Sequence, residues 1–232
     1  MKRINLKAVF AAVIVAAMPI AAAAGTVWNE TGPLGAGDSL STAQTVFFTP
    51  ASPLDRIHGT LTATTNVNSL PVYQVDLYKI VVNDFSMFSA RTALPTAFDT
   101  ALYLFNESGF GVYSNDDNGV DLLSLLASAD PNGPSADGVY YLGIAFGGFL
   151  ANDALVNSLF QPDGSASPGA GALAGWTPGF DAQTESPFTY DILLSGATTV
   201  PAPDGVALML TACVAMALRR RNPRLRAPAV AA

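Results

Sequence analysis

"FTYDILLSG" spans residues 188–196, and its apolar side chains fall on every second position. Phe188, Tyr190, Ile192 and Leu194 share one side, while Thr189, Asp191, Leu193 and Ser195 take the other, mostly toward water. A period of two marks a strand buried on one face, because successive Cβ atoms of an extended chain point to opposite sides. Six further runs have the same character: "TVFF" (45–48), "IHGTLTA" (57–63), "VYQVDLYKIVV" (72–82), "FSMFSAR" (85–91), "TALYLFN" (100–106) and "VYYLGIAF" (139–146). They are rich in β-branched and aromatic residues, and Gly, Pro, Asn or Asp bound most of them. "VYQVDLYKIVV" is apolar on both faces, which predicts a central strand with a covered outer face. Seven or eight short strands divided by turns predict an all-β protein, a β-sandwich.

Between the strands the pattern weakens. Gly25 to about Gly37 predicts an irregular arm. "GVDLLSLLASADP" (119–131) predicts one short helix, with Leu122, Leu125 and Leu126 on a common face. "FQPDGSASPGAGALAGWTPGFDAQTESP" (160–187) has no useful period and predicts a long surface loop.

Charge is placed very unevenly. Of eleven basic residues only Arg56, Lys79 and Arg91 fall between Gly25 and Pro203, against seventeen of the eighteen acids, so the body carries −14. Nucleic-acid binding needs clustered Lys and Arg to displace counterions, so the body is expected to have no such partner. A divalent cation or simple solubility fits the charge better. The one cysteine, Cys213, lies near the C-terminus, so the body can form no internal disulfide.

The two ends explain the rest of the basic residues. "MKRINLKAVFAAVIVAAMPIAAAAG" has a basic start, an apolar stretch from Ala8 to Ile20 and small residues before Gly25. This is the pattern of a secretory signal peptide over residues 1–24, removed by a signal peptidase after Sec export. At the other end, Val206–Leu218 is a run of thirteen residues without charge, followed by Arg219, Arg220 and Arg221. As a helix it would span ~20 Å, short against a hydrocarbon core of ~30 Å. The arginines would stay on the cytoplasmic side. A permanent anchor and a temporary, cleaved segment both follow from this pattern.

The order Val200, Pro201, Ala202, Pro203, then a short apolar helix, then an Arg cluster resembles the PEP-CTERM sorting signal of Gram-negative bacteria. The resemblance implies sorting over residues 198–232 by an exosortase-type membrane peptidase that cuts near the prolines. Ala202 stands where the family usually has Glu, and Asn222–Ala232 runs on longer than is typical. It also implies display at the cell surface or in an extracellular matrix, with exopolysaccharide as a partner. A second resemblance covers Val72–Ala197, with the 150–187 insertion outside it. "DLYKIVV", "FDTALYLFNESGFGVYSNDD", "GVYYLGIAF" and "YDILLSGA" are similar to the bacterial pre-peptidase C-terminal (PPC) β-domain. In that pattern Asp76 and Tyr78 open the domain, Phe98 and Asp99 begin a strand, and Asn115–Asp117 close a hairpin. The resemblance implies a jelly-roll-like β-sandwich of about eight strands. It implies little about activity, since such domains accompany unrelated catalytic ones. The 47 residues from Gly25 to Pro71 are too few for a catalytic partner, so a non-enzymatic protein is expected.

Candidate chemistry is sparse. "SNDDNG" (114–119) packs Asn115, Asp116 and Asp117 together, with Asp99 as a further oxygen donor if the loops meet. Such a set can hold Ca²⁺, which takes six to eight oxygens, but the spacing is not that of an EF-hand. Asx side chains also build turns on their own, and both readings stand. The single His58 offers a Ser-His-Asp triad its base, or is a half-buried strand histidine; no G-x-S-x-G elbow accompanies it. One histidine cannot build a zinc hydrolase. The number of acids leaves a glycosidase carboxylate pair open. Trp28 and Trp176 serve either as sugar platforms or as packing.

Overall fold

In the computed structural model, the residues described are 25–201 except 33–34, 49, 66–70, 74, 97 and 179–186. The signal peptide (1–24), Ala202, Pro203, the apolar run 206–218 and Arg219–Arg221 lie outside the described residues.

The chain forms β1 (Thr26–Asn29), β2 (Gln44–Thr45), β3 (Phe47–Phe48), β4 (Leu54–Leu61), β5 (Ala63–Thr65) and β6 (Pro71–Tyr73). There follow β7 (Asp76–Val82), β8 (Ser89–Ala93), β9 (Thr100–Asn106), β10 (Gly111–Asn115), β11 (Leu125–Leu126) and β12 (Gly138–Phe146). The last are β13 (Leu150–Asn152), β14 (Gly175–Thr177), β15 (Phe188–Ser195), β16 (Ala197–Thr198) and β17 (Val200–Pro201). The architecture is all-β, with no helix among the described residues. One sheet runs β1-β4-β15-β8-β11; the other runs β10-β9-β12-β7-β16, with β2 also on β7. Three two-stranded ladders complete it: β13–β14, β17–β3 and β5–β6.

One core joins the two large sheets. Tyr78 of β7 and Tyr190 of β15 meet through their hydroxyls at 2.6 Å, and the Phe146 ring of β12 stands edge-on to Phe188 of β15 at 4.9 Å. The alternation of "FTYDILLSG" places Tyr190, Ile192 and Leu194 in this core. β7 and β9 are buried on both faces, as expected of central strands. Leu102 and Leu104 are fully buried, while Tyr103 and Phe105 on alternate positions pack against Phe160 and Trp176 of the insertion.

Four expectations need correction. The arm at 25–37 contains β1, which pairs in parallel with β4. The helix expected at 119–131 is absent: Asn118 turns the chain by accepting the N–H groups of Val120 and Asp121, and Leu125–Leu126 pair with β8. Ser124 competes successfully with helical bonding, because its side chain and backbone N–H enter a buried network with Thr92 and Thr100. "FSMFSAR" begins as a turn, with Asp84 Oδ1 accepting from Ser86 Oγ and the Met87 N–H, and becomes a strand only at Ser89. The insertion is more than surface loop: Gly175–Thr177 pairs with Leu150–Asn152, and Leu159, Phe160 and Leu173 are buried.

Candidate functional site

A cavity of about 700 Å³ opens between the β10 end of one sheet and the insertion. Its floor is apolar, from Tyr103, Phe149 and Phe160; its rim is polar, from Asn115, Asp116, Asp117, Gln161 and Asp163. The rim lies at the far end of β10 from the β9–β10 hairpin, where Asn106 Oδ1 accepts the N–H groups of Ser108 and Phe110, and Gly109 takes φ +85°. The far wall is stitched on by the backbone: Ser114 N–H donates to Gly164 O at 2.9 Å, and Tyr113 bridges Ser165. Gly164 sits so close to the Ser114 carbonyl that a Cβ would overlap it, at a φ of +82°. Asp153 organises the rest of the insertion. It accepts from Gly171 N–H, from the Asn157 side chain and N–H, and from Leu155 N–H, and these bonds hold its pKa down to about 2.

The sequence-derived cation donors divide into two pairs. Asp99 and Asp116 converge on one turn. The Asp99 carboxylate packs against Gly147, where a Cβ would come within 2.5 Å of it, and Asp116 Oδ2 accepts Gly148 N–H at 3.3 Å. Asn115 and Asp117 go elsewhere. Asn115 Oδ1 accepts Leu125 N–H at 2.7 Å and Nδ2 donates to Asp117 O at 2.9 Å, which is the Asx-turn role. The Asp117 side chain is exposed. Among the described residues no group of three or more His, Cys, Asp or Glu lies close enough to share a metal ion. Burial and the nearby Asp116 charge push the Tyr103 hydroxyl far above its usual range, so it stays protonated and donates to Phe149 O.

Neither tryptophan lines the cleft. Trp176 stands edge-on to Tyr103 at 5.1 Å and donates Nε1–H to Asp38 O, closing the insertion over the sheet. Trp28 packs on Phe47 and Phe48.

Two further polar clusters escape a reading of sequence alone. On the face of the other sheet, Asp191 accepts from Arg56 at 3.5 Å and meets His58 Nδ1 at 2.9 Å. No hydroxyl or thiol among the described residues is bonded to His58. Alternation predicts Asp191 toward water; Arg56 and His58 of the neighbouring β4 cover it instead. Inside the core, Asp76 accepts Tyr190 Oη–H at 2.7 Å and Ala36 N–H at 3.0 Å, and Tyr190 in turn meets Tyr78. Burial raises the Asp76 pKa to about 7, and the Glu30 charge adds to this. Glu30, which takes the Thr60 N–H, is raised in the same way by burial. An acid within a strand that is otherwise apolar on both faces is the signal that points to Asp76.

The chain matches no protein-family model and no curated protein sequence.

Proposed function

We propose that this is an exported, non-catalytic, jelly-roll-like β-sandwich that a C-terminal sorting tail delivers to the bacterial surface or extracellular matrix. In this reading a signal peptidase removes residues 1–24, the run 206–218 pauses in the membrane with Arg219–Arg221 inside, and an exosortase-type peptidase cuts near Val200–Pro203. The released body then joins an exopolysaccharide-rich layer. The jelly-roll part is supported by the orders β4-β15-β8-β11 and β7-β12-β9-β10, whose strands switch sheets along the chain at every step but the β9–β10 hairpin.

The observation that carries the sorting part is the order of the tail in sequence: Val200-Pro201-Ala202-Pro203, then the uncharged run 206–218, then Arg219, Arg220 and Arg221. Intact mass of the protein recovered from its host tests the reading: a species lacking everything after about Pro203 is expected, and a mature form that retains Cys213 overturns it.

The cleft favours a second reading, a calcium- or carbohydrate-binding module. Its apolar floor and polar rim are the usual composition of a small-ligand site, and Asp99 and Asp116 share one turn beside it. Thermal melts with Ca²⁺ and with neutral oligosaccharides test this. A rise that disappears in Asp116→Ala supports it; unchanged melting in both series removes it.

A further inference from the structure

Trp28, Phe47 and Phe48 form a ring cluster beside β17. The Trp28 ring centroid lies 5.9 Å from each phenylalanine, and Phe47 and Phe48 keep 43% and 38% of their surface exposed. They pair in register with Val200 and Pro201, and Val200 N–H donates to Val46 O at 2.7 Å. The cluster is thus fixed beside the point from which the tail departs. Trp28 Nε1–H is committed to Gln44 Oε1 at 2.7 Å and its ring is half-buried against the core, so Phe47 and Phe48 carry the exposed apolar surface of the cluster.

The length of the tail's joint sets the distance to what lies beyond. Five residue steps separate Pro201 from Val206, the first residue of the uncharged run, and they span at most about 18 Å even fully extended. Once that run enters a bilayer, the cluster is held near the headgroup region, where aromatic rings concentrate because one side meets lipid and the other water. Electrostatics works against any attraction to anionic lipid, since the body carries −14. Leu155 is exposed as well, but it is not paired with β17, whereas Phe47 and Phe48 are.

We infer that Trp28, Phe47 and Phe48 seat the body on the lipid surface while the tail is in the membrane, by apolar contact with the headgroup–acyl boundary. This rests on the sorting-tail reading proposed above. The seat would hold the Val200–Pro203 joint at a fixed height over the bilayer.

The chain supplies its own reporters, having two tryptophans and one cysteine. Residues 25–232 are reconstituted in phosphatidylcholine vesicles containing headgroup-spin-labelled lipid, with an environment-sensitive dye on Cys213. In Trp176→Phe, where Trp28 is the sole tryptophan, emission is expected to be largely quenched, independent of salt. In Trp28→Phe, which leaves Trp176, it is expected to stay. Combining Trp176→Phe with Phe47→Ser and Phe48→Ser should relieve the quenching; combining it with Leu155→Ser should not. An apolar Cys213 dye with unquenched Trp28 overturns the seat and leaves the tail reading intact. A Cys213 dye in water overturns both. Quenching lost at high salt, or seen only in host membranes carrying other proteins, also overturns the lipid seat.

Discussion

Asp76→Asn tests the buried acid cluster. Asp76 is 1% exposed and sits under Tyr190, Tyr78 and the Ala36 N–H, with Glu30 nearby. Its pKa rises from 3.8 to about 7, chiefly by burial, then by the Glu30 charge, against the lowering effect of the Tyr190 and Ala36 hydrogen bonds. A raised carboxyl pKa means that the native state holds a proton which the unfolded chain has released. Stability from this group is therefore present below about pH 4, falls between pH 4 and 7, and levels off above. The difference amounts to about 4 kcal/mol at 1.36 kcal/mol per pKa unit. Asparagine cannot ionise, and it keeps the acceptor for Ala36 N–H while offering a donor to Tyr190 Oη. Urea unfolding of both proteins at pH 4.5, 6 and 8 reads the effect as a difference between them. The variant should gain on the wild type as pH rises, by a total on the order of 4 kcal/mol. Glu30 contributes to both proteins with the same sign. Asp153, at about 2, and Asp163, lowered by Ser165, lose their stabilisation only as pH falls below the ordinary carboxylate range. A difference that is flat with pH, or that shrinks as pH rises, refutes a buried protonated Asp76.

Further outcomes follow from single contacts. Gly196→Ala introduces a side chain at φ +64°, with its Cβ 2.5 Å from the Asp84 carbonyl and 2.7 Å from Phe88 N, so a loss of roughly 2 kcal/mol or more is expected in denaturant titration. Phe105→Ala empties a fully buried site facing Phe160 and Trp176; a loss of about 3–5 kcal/mol and a change in Trp176 emission are expected. Asp191→Ala removes the acceptor of Arg56 and His58. Because both side chains remain partly solvated, the cost should stay near 1–3 kcal/mol, measured by thermal melting. Ser124→Ala removes the hydroxyl that meets Thr100 Oγ1 and donates to the Thr100 and Asp116 carbonyls; a loss of about 1–3 kcal/mol is expected.

The sequence by itself determined the strand class, because a period of two in "FTYDILLSG" and a doubly apolar "DLYKIVV" are local properties that burial cannot reverse. It also marked the turn at Asn106–Gly109, whose Asx bonds and positive φ are settled within a few residues. Tertiary structure alone decided which strands are neighbours, since β4 and β15, some 130 residues apart, pair by matching faces that carry no local address. It decided against the helix at 119–131, whose leucine spacing lost to the buried hydroxyls of Ser124, Thr92 and Thr100. It brought Asp99 and Asp116 to one turn while leaving Asp117 outside, and it set Asp76 under two tyrosines from opposite sheets. A side chain's charge and reach are written in sequence; what surrounds it, and hence whether it holds a proton or meets a partner, depends on contacts that only the folded chain brings together.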